Sequence, residues 1–276
     1  MRKTVTLTVL ALASLLMTAP FAWMLLSSFK SNAEIQRAEL TVLPEHWTLE
    51  HYRTILGVGE TQLAGYNFTR FYGNSLKVAL AVTLLSTMAN AFIGYVFAKF
   101  RFAGRRIIFS VLLATMMVPF PVTMIPTFLI MGRLHLLDTH LALILPGVIG
   151  AYGVFLIRQF VNAIPDDLFA AAGIDGCSEL RIFTTIVVPS CKPVMFATAL
   201  FTFLTTWNDM LWPLILLQSQ EKYTLPLALM AFGNQYTQNN GLILAASTIT
   251  VVPVIILFLF VQRQLIEGIT VTGMKN

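Results

Sequence analysis

A chain of 276 residues that is 57% hydrophobic and 11% charged, with a mean hydropathy of +0.75, is built for lipid, since soluble domains carry about 25% charged residues. There is no room for a large soluble domain, and the net charge of +5 is read as basic residues at cytoplasmic helix ends rather than as a nucleic-acid surface. Two cysteines, Cys177 and Cys191, make no disulfide framework or metal site, and His46, His51, His135 and His140 lack ligand spacing.

Arg2 and Lys3 precede an apolar run from Thr4 to Leu26 that is too long for a signal-peptide core of roughly 7–15 residues. It predicts an uncleaved first transmembrane helix with its N-terminus inside. Residues 28–72 form a mixed polar loop, external by position, in which Thr48 reads as the N-cap of a short helix. The second helix is expected from Gly73 to Ala98, with small residues Ser86, Ala89, Ala91 and Gly94 suited to close contact. Lys99, Arg101, Arg105 and Arg106 follow as the strongest inside marker.

A third helix runs from Ile107 to Ile130 through Pro119, Pro121 and Pro126. Prolines at membrane depth suit either a kinked pathway helix or a merely bent packing helix. After a short external turn, Leu141–Phe160 makes the fourth helix. Pro193–Leu217 makes the fifth, 218–240 an external loop, and Gly241–Val261 the sixth, ahead of a tail with Arg263 and Lys275. This topology puts eleven Lys/Arg inside and seven outside, four of the seven in the long first loop, where charge carries little weight.

The loop at 162–192 then lies in the cytoplasm, and it is the most ordered-looking polar stretch. Leu168, Ala171, Ala172 and Asp175 recur at helical spacing and outline a short helix with a face of small side chains. Asp166 and Asp167 suit its N-terminus, and Gly176 can take the positive φ that ends it. Its acidity, with Glu179, favours docking of a protein over resting on headgroups, because interfacial helices are Lys/Arg-rich. There is no phosphate-binding GxxxxGK[ST], GxSxG or HExxH, and few ionisable groups lie within the spans. The energy source is therefore expected on another polypeptide.

The run Ile164-Pro165-Asp166-Asp167-Leu168-Phe169-Ala170-Ala171-Ala172-Gly173-Ile174-Asp175-Gly176, closing at Ile186-Val187-Val188-Pro189, resembles the EAA loop of carbohydrate-type ABC importer permeases. Similar matches are Asn74-Ser75-Leu76, Phe100-Arg101-Phe102-Ala103-Gly104-Arg105, Met117-Val118-Pro119, Trp207-Asn208-Asp209 with Trp212-Pro213, Thr224-Leu225-Pro226-Leu227, and Gly268-Ile269-Thr270 with Gly273 and Lys275. The resemblance covers essentially the whole chain in order. One departure stands out: Ala170 occupies the position of the acidic residue that names the loop, and Asp166, Asp167 or Glu179 is a candidate substitute for its charge.

The resemblance implies an all-α polytopic membrane protein with six transmembrane helices and a cytoplasmic coupling helix between helices four and five, one permease domain over 1–276, in a bacterial inner membrane with both termini cytoplasmic. It implies a permease subunit of an ATP-driven, binding-protein-dependent sugar importer, with no cofactor on this chain because ATP and Mg belong to a cytoplasmic ATPase dimer. Further partners are a second permease subunit, forming a heterodimer, an extracytoplasmic sugar-binding protein, the carbohydrate and membrane lipid. Expected ATPase-docking residues are Asp166, Asp167, Leu168, Ala170, Ala171, Ala172, Asp175, Gly176 and Glu179. Candidate pathway residues are Trp207, Asn208, Asp209, Trp212, Asn74 and Pro119. The plainer reading of the tryptophans is an interfacial belt, with Asp209 bonded to a neighbouring helix. An ion-coupled carrier and a non-transporting docking or receptor protein are the alternatives.

Overall fold

The computed structural model describes residues 2–37, 41–58, 67–235 and 239–273, with side chains described as far as Gln262. All regular elements among the described residues are helices, with no strand. Four helical stretches are long and apolar enough to cross a membrane: Lys3–Ser27, Phe68–Lys99, His140–Asn162 and Asn240–Gln262. Two bent pairs bring the count to as many as six: Arg105–Thr115 with Phe120–Arg133, bent by 105°, and Glu179–Ser190 with Lys192–Trp207, bent by 80°. The chain divides into two compact units, residues 1–73 with 224–253 and residues 74–223 with 254–276.

In the first unit, α1 (Arg2–Ser27) is exposed from Lys3 to Trp23 and becomes buried only at its end, at Ser27. The segment after it folds back through α2 (Asn32–Ile35) and α3 (Glu50–Ile55). Phe29 packs against Trp47 at 5.6 Å and Tyr52 at 5.2 Å, and its carbonyl accepts the Thr48 N–H at 2.8 Å. Buried His51 bonds the Lys30 carbonyl through Nε2 at 2.8 Å. Thr48 is not the N-cap: Leu49 holds that place, and the Thr48 hydroxyl instead accepts the Glu50 N–H at 3.2 Å. Burial favours protonating Glu34, but hydrogen bonds from the Glu45 N–H and Thr41 hydroxyl, with the charges of Lys30 and Arg37, outweigh it and hold its carboxyl below the usual range. The expected loop at 218–240 instead contains the apolar helix α14 (Leu225–Gln235). Leu225, Leu227, Ala228 and Phe232 are buried, with Phe232 edge-on to Phe68 at 5.2 Å.

The second unit is built on α4 (Phe68–Lys99), whose first turn belongs to the first unit. This helix starts five residues before the expected Gly73, because the Asn67 side chain accepts the Arg70 N–H at 3.0 Å and caps it. Val82, Ser86, Asn90 and Gly94 recur every fourth residue and form one stripe. Opposite that stripe, α7 (His140–Ile144) and α8 (Ala151–Asn162) are separated by a 3-10 turn at Leu145–Gly147. The break frees the Gly150 N–H, which Asn90 Oδ1 accepts at 3.0 Å, while Asn90 Nδ2 donates to Ser86 at 2.9 Å. A freed backbone group at membrane depth needs such a partner. The approach is close enough that a β-carbon on Gly153 would lie 2.5 Å from the Asn90 amide and one on Gly94 3.0 Å from Ile157. Small residues at the contact replace the hydrophobic driving force that lipid removes.

The third expected span is α5 (Arg105–Thr115) and α6 (Phe120–Arg133), broken at residues 116–119 rather than kinked. Pro119 caps α6 and Pro121 lies in its first turn, where a missing N–H costs nothing. The fifth expected span is likewise interrupted: α12 (Lys192–Trp207) gives way at Asn208–Met210 to α13 (Leu211–Leu216). The sixth is α15 (Asn240–Gly273), longer than expected; the Arg263 side chain and Lys275 lie outside the described residues.

Candidate functional site

The polar interruption after α8 folds as α9 (Asp166–Ile174). Asp166 and Asp167 occupy its first turn, next to the positive end of the helix dipole. Its C-terminus is a Schellman closure. The Cys177 N–H returns to the Ala172 carbonyl at 3.0 Å and the Gly176 N–H to Gly173 at 3.1 Å, with Gly176 at φ +73°. After it come α10 (Glu179–Ile182), a π turn at Phe183–Val187 and α11 (Val188–Ser190).

One side of α9 is anchored and the other open. Phe169 and Ala172 pack on a buried cluster that includes Tyr95, Ile157, Phe183 and Val187. Ala172, expected among the docking residues, thus lies half-exposed on the anchored side of α9. Leu168 (51% exposed) and Ile174 (86%) point away from the cluster, as do Asp167, Ala170, Ala171 and Asp175. Tyr95 is the hub beneath: it stacks on Phe169 at 6.1 Å and meets Phe100 edge-on at 5.4 Å. Its hydroxyl donates to Glu179 at 2.7 Å.

Lys99 adds a second tie. Its ammonium donates to the Ile164 carbonyl at 2.9 Å and to Asp166 at 2.6 Å, and lies 4.5 Å from the Phe169 ring centre. The hydrogen bond from Lys99, then its charge, with Arg101 adding a little, hold the Asp166 carboxyl below its usual range against weak desolvation. Asp166 and Glu179 are thus turned back onto α4. Sequence reasoning missed Tyr95, Lys99 and Phe169 as site residues; Lys99 stood out only as an inside marker.

The candidate pathway residues divide. Trp207 is 1% exposed and stacks on Phe203 at 5.6 Å, and Trp212 is also buried. Neither ring offers an open stacking face. Asp209 accepts the Trp212 N–H at 3.2 Å and so caps α13. The Asn74 amide donates to the Glu221 and Tyr223 carbonyls at 2.9 and 3.0 Å and so fastens the 218–223 loop. Pro119 and Asn208 remain exposed. The two helix breaks, however, meet: Phe120 lies edge-on to Trp212 at 5.7 Å.

The 218–223 loop is held by a further knot. Asp138, at φ +56°, accepts the Gln218 and Ser219 N–H groups at 2.9 Å each, the Ser219 hydroxyl at 2.5 Å and the Lys222 ammonium at 2.7 Å. His140 Nε2 bonds the Lys222 carbonyl at 2.9 Å. Burial raises the Asp138 carboxyl, but the bonds from Lys222, Ser219 and Gln218 together hold it far below the usual carboxylate range.

Residues 90–271 match the family described as "Binding-protein-dependent transport system inner membrane component". The chain belongs to this family. Among its relatives is the "Arabinooligosaccharides transport system permease protein AraQ" of Halalkalibacterium halodurans, 37% identical over 93% of this chain and 91% of the relative. Another is the "Lactose transport system permease protein LacG" of Rhizobium radiobacter, 33% identical over 94% and 92%. The fold is that of a chain in the crystal structure of a bacterial ABC transporter involved in the import of the acidic polysaccharide alginate. That match has a TM-score of 0.81 and 24% identity over 95% of both chains. This permease is therefore a multi-pass inner-membrane transport subunit, and ATP hydrolysis is carried by a separate ATPase subunit. Family membership decides against the ion-coupled carrier and the receptor.

Proposed function

We propose that this permease is one half of a heterodimeric membrane pore that imports an oligosaccharide. Its six spans are α1, α4, α5–α6, α7–α8, the bent run ending in α12 and α13, and α15. In this reading α9 is the coupling helix on the cytoplasmic side, gripped by the ATPase subunit through Asp167, Leu168, Ala170, Ala171 and Asp175, with Gly176 setting its end. The observation that carries it is the two-sided character of α9, open outward and tied inward to α4 by Lys99 and Tyr95. A displacement imposed on α9 by the ATPase is handed to α4 and, through the Asn90 and Gly94 stripe, to α7–α8.

The carbohydrate class is supported by relatives named for arabinooligosaccharides, lactose and diacetylchitobiose. The proposed route runs beside the paired breaks at 116–119 and 208–210, where Pro119, Asn208 and Asp209 supply exposed or half-exposed surface. Broken helices at membrane depth are tolerated where they line a water-filled cavity. Co-purification of the ATPase subunit tests the docking face. Leu168→Glu is expected to abolish it while the permease pair stays assembled, and retention of the ATPase would overturn the assignment.

A further inference from the structure

The turn between α4 and α5 gathers a charge that the transport reading does not use. Arg101, Arg105 and Arg106, with Arg158 from α8, line an open pocket of about 720 Å³, together with Phe102, Phe109 and Ser110. Among the described residues no carboxylate lines it. Asp166, whose ionised form Arg101 also favours, is paired with Lys99 outside the pocket.

The two inner guanidinium groups are held in place by neutral acceptors. Arg158 Nε donates to the Phe97 carbonyl at 3.1 Å and its guanidinium lies 4.1 Å from the Phe109 ring centre. Arg105 donates to the Phe100 and Ala98 carbonyls at 2.9 and 3.3 Å. Carbonyls at a helix C-terminus orient cations without cancelling their charge. Arg101 and Arg106 are exposed at the rim. Immediately beyond the rim the surface turns apolar: Ile107, Ile108 and Val111 of α5 are all more than half exposed.

We infer that this pocket binds the phosphate headgroup of an anionic phospholipid, its acyl chains lying along Ile107, Ile108 and Val111. A phospholipid joins the two chemistries that adjoin here, a phosphate suited to arginine forks and hydrocarbon. Basic pockets at the cytoplasmic face recognise such headgroups. A bound lipid would pin the α4–α5 turn at headgroup depth, two residues from Lys99 and its tie to α9. The inference rests on the orientation proposed above, with this turn at the cytoplasmic leaflet.

The test uses the assembled transporter, purified in detergent after exchange into mixed phosphatidylglycerol and phosphatidylcholine vesicles, with retained lipid counted by native mass spectrometry. Retained phosphatidylglycerol is expected to fall on the order of tenfold in R101Q/R106Q, with phosphatidylcholine unchanged and the ATPase still bound. Equal retention in the variant overturns the site. So does complete displacement of the retained phosphatidylglycerol from the wild type by inorganic phosphate alone, which would mark a free-anion site, or loss of the ATPase with lipid unchanged, which would mark a protein interface. A wild-type complex that retains phosphatidylglycerol through these arginines without binding-protein-stimulated ATPase activity counts against the transport reading and leaves the lipid site standing.

Discussion

Lys99 joins three elements through one ammonium group. It ends α4, closes the Ile164 carbonyl at the entry to α9 and pairs with Asp166 in the first turn of α9. Lys99→Met is expected to lower the Tm of the purified complex, because the part-buried Ile164 carbonyl and the Asp166 carboxylate both lose a charged donor; an unchanged Tm would show that the tie carries no stability. The Asp166 pKa is lowered in the folded state, so this tie is complete above the ordinary aspartate range and is lost as the pH falls through the lowered value. Asp138 follows the same sign on the other knot, with a deeper shift. Asp138→Ala strands the Gln218 and Ser219 N–H groups and leaves Lys222 only the main-chain carbonyl of residue 138, and is expected to raise hydrogen exchange selectively in residues 217–223. Unchanged exchange there would show that the knot does not hold the loop. The basic cluster and the helix-ending Gly176 were legible in the sequence as residue types in a pattern. Tyr95 was not, because its role depends on Phe169 and Glu179, far along the chain, arriving at the same place.

At the scale of elements, the apolar runs announce themselves and their interruptions do not. Hydropathy averages over a window, so Leu225–Gln235 was hidden inside a stretch bounded by polar residues. The break in α5–α6 reads as a bend in the sequence because proline signals a fault without giving its angle, whereas the one in α12–α13 has no proline at residues 208–210 to announce it. Capping sets the start of α4 at Phe68 rather than the expected Gly73, since the Asn67 side chain accepts the Arg70 N–H of its first turn. The α4–α8 seam is the clearest case of sequence and packing agreeing: Gly94 was read as a contact residue and meets Ile157 and Arg158. Gly94→Val is expected to cost about 1–3 kcal/mol through overpacking, seen as loss of folded permease after detergent extraction. On α9, Ala170 is exposed and a longer side chain fits without repacking. Ala170→Glu is expected to strengthen ATPase retention and raise transport; identical retention and transport would show that this position does not limit coupling. In a Cys177→Ser background, Met117→Cys at the paired breaks is expected to react with a water-soluble thiol reagent, and more slowly when loaded binding protein is present.

For the whole molecule, the chain carries a handle and a set of levers but no engine. Low charge and long apolar runs mark a membrane protein in the sequence, and without a GxxxxGK[ST] in it the energy source is expected on a partner. The interior of the pathway was less legible. Trp207, Asp209 and Asn74 have the chemistry of a sugar site, yet the fold spends them on a core contact, a helix cap and a loop tether. Side-chain chemistry alone does not distinguish these uses; neighbours do. The central claim is that ATP hydrolysis by a partner drives an oligosaccharide past this chain. Its most direct measurement is uptake of labelled oligosaccharide into proteoliposomes containing this permease, its partner permease and the ATPase, with loaded binding protein outside the face opposite the ATPase. Accumulation that requires both ATP and the binding protein, and survives a proton uncoupler, is the predicted result; uptake indifferent to ATP and abolished by the uncoupler would contradict it.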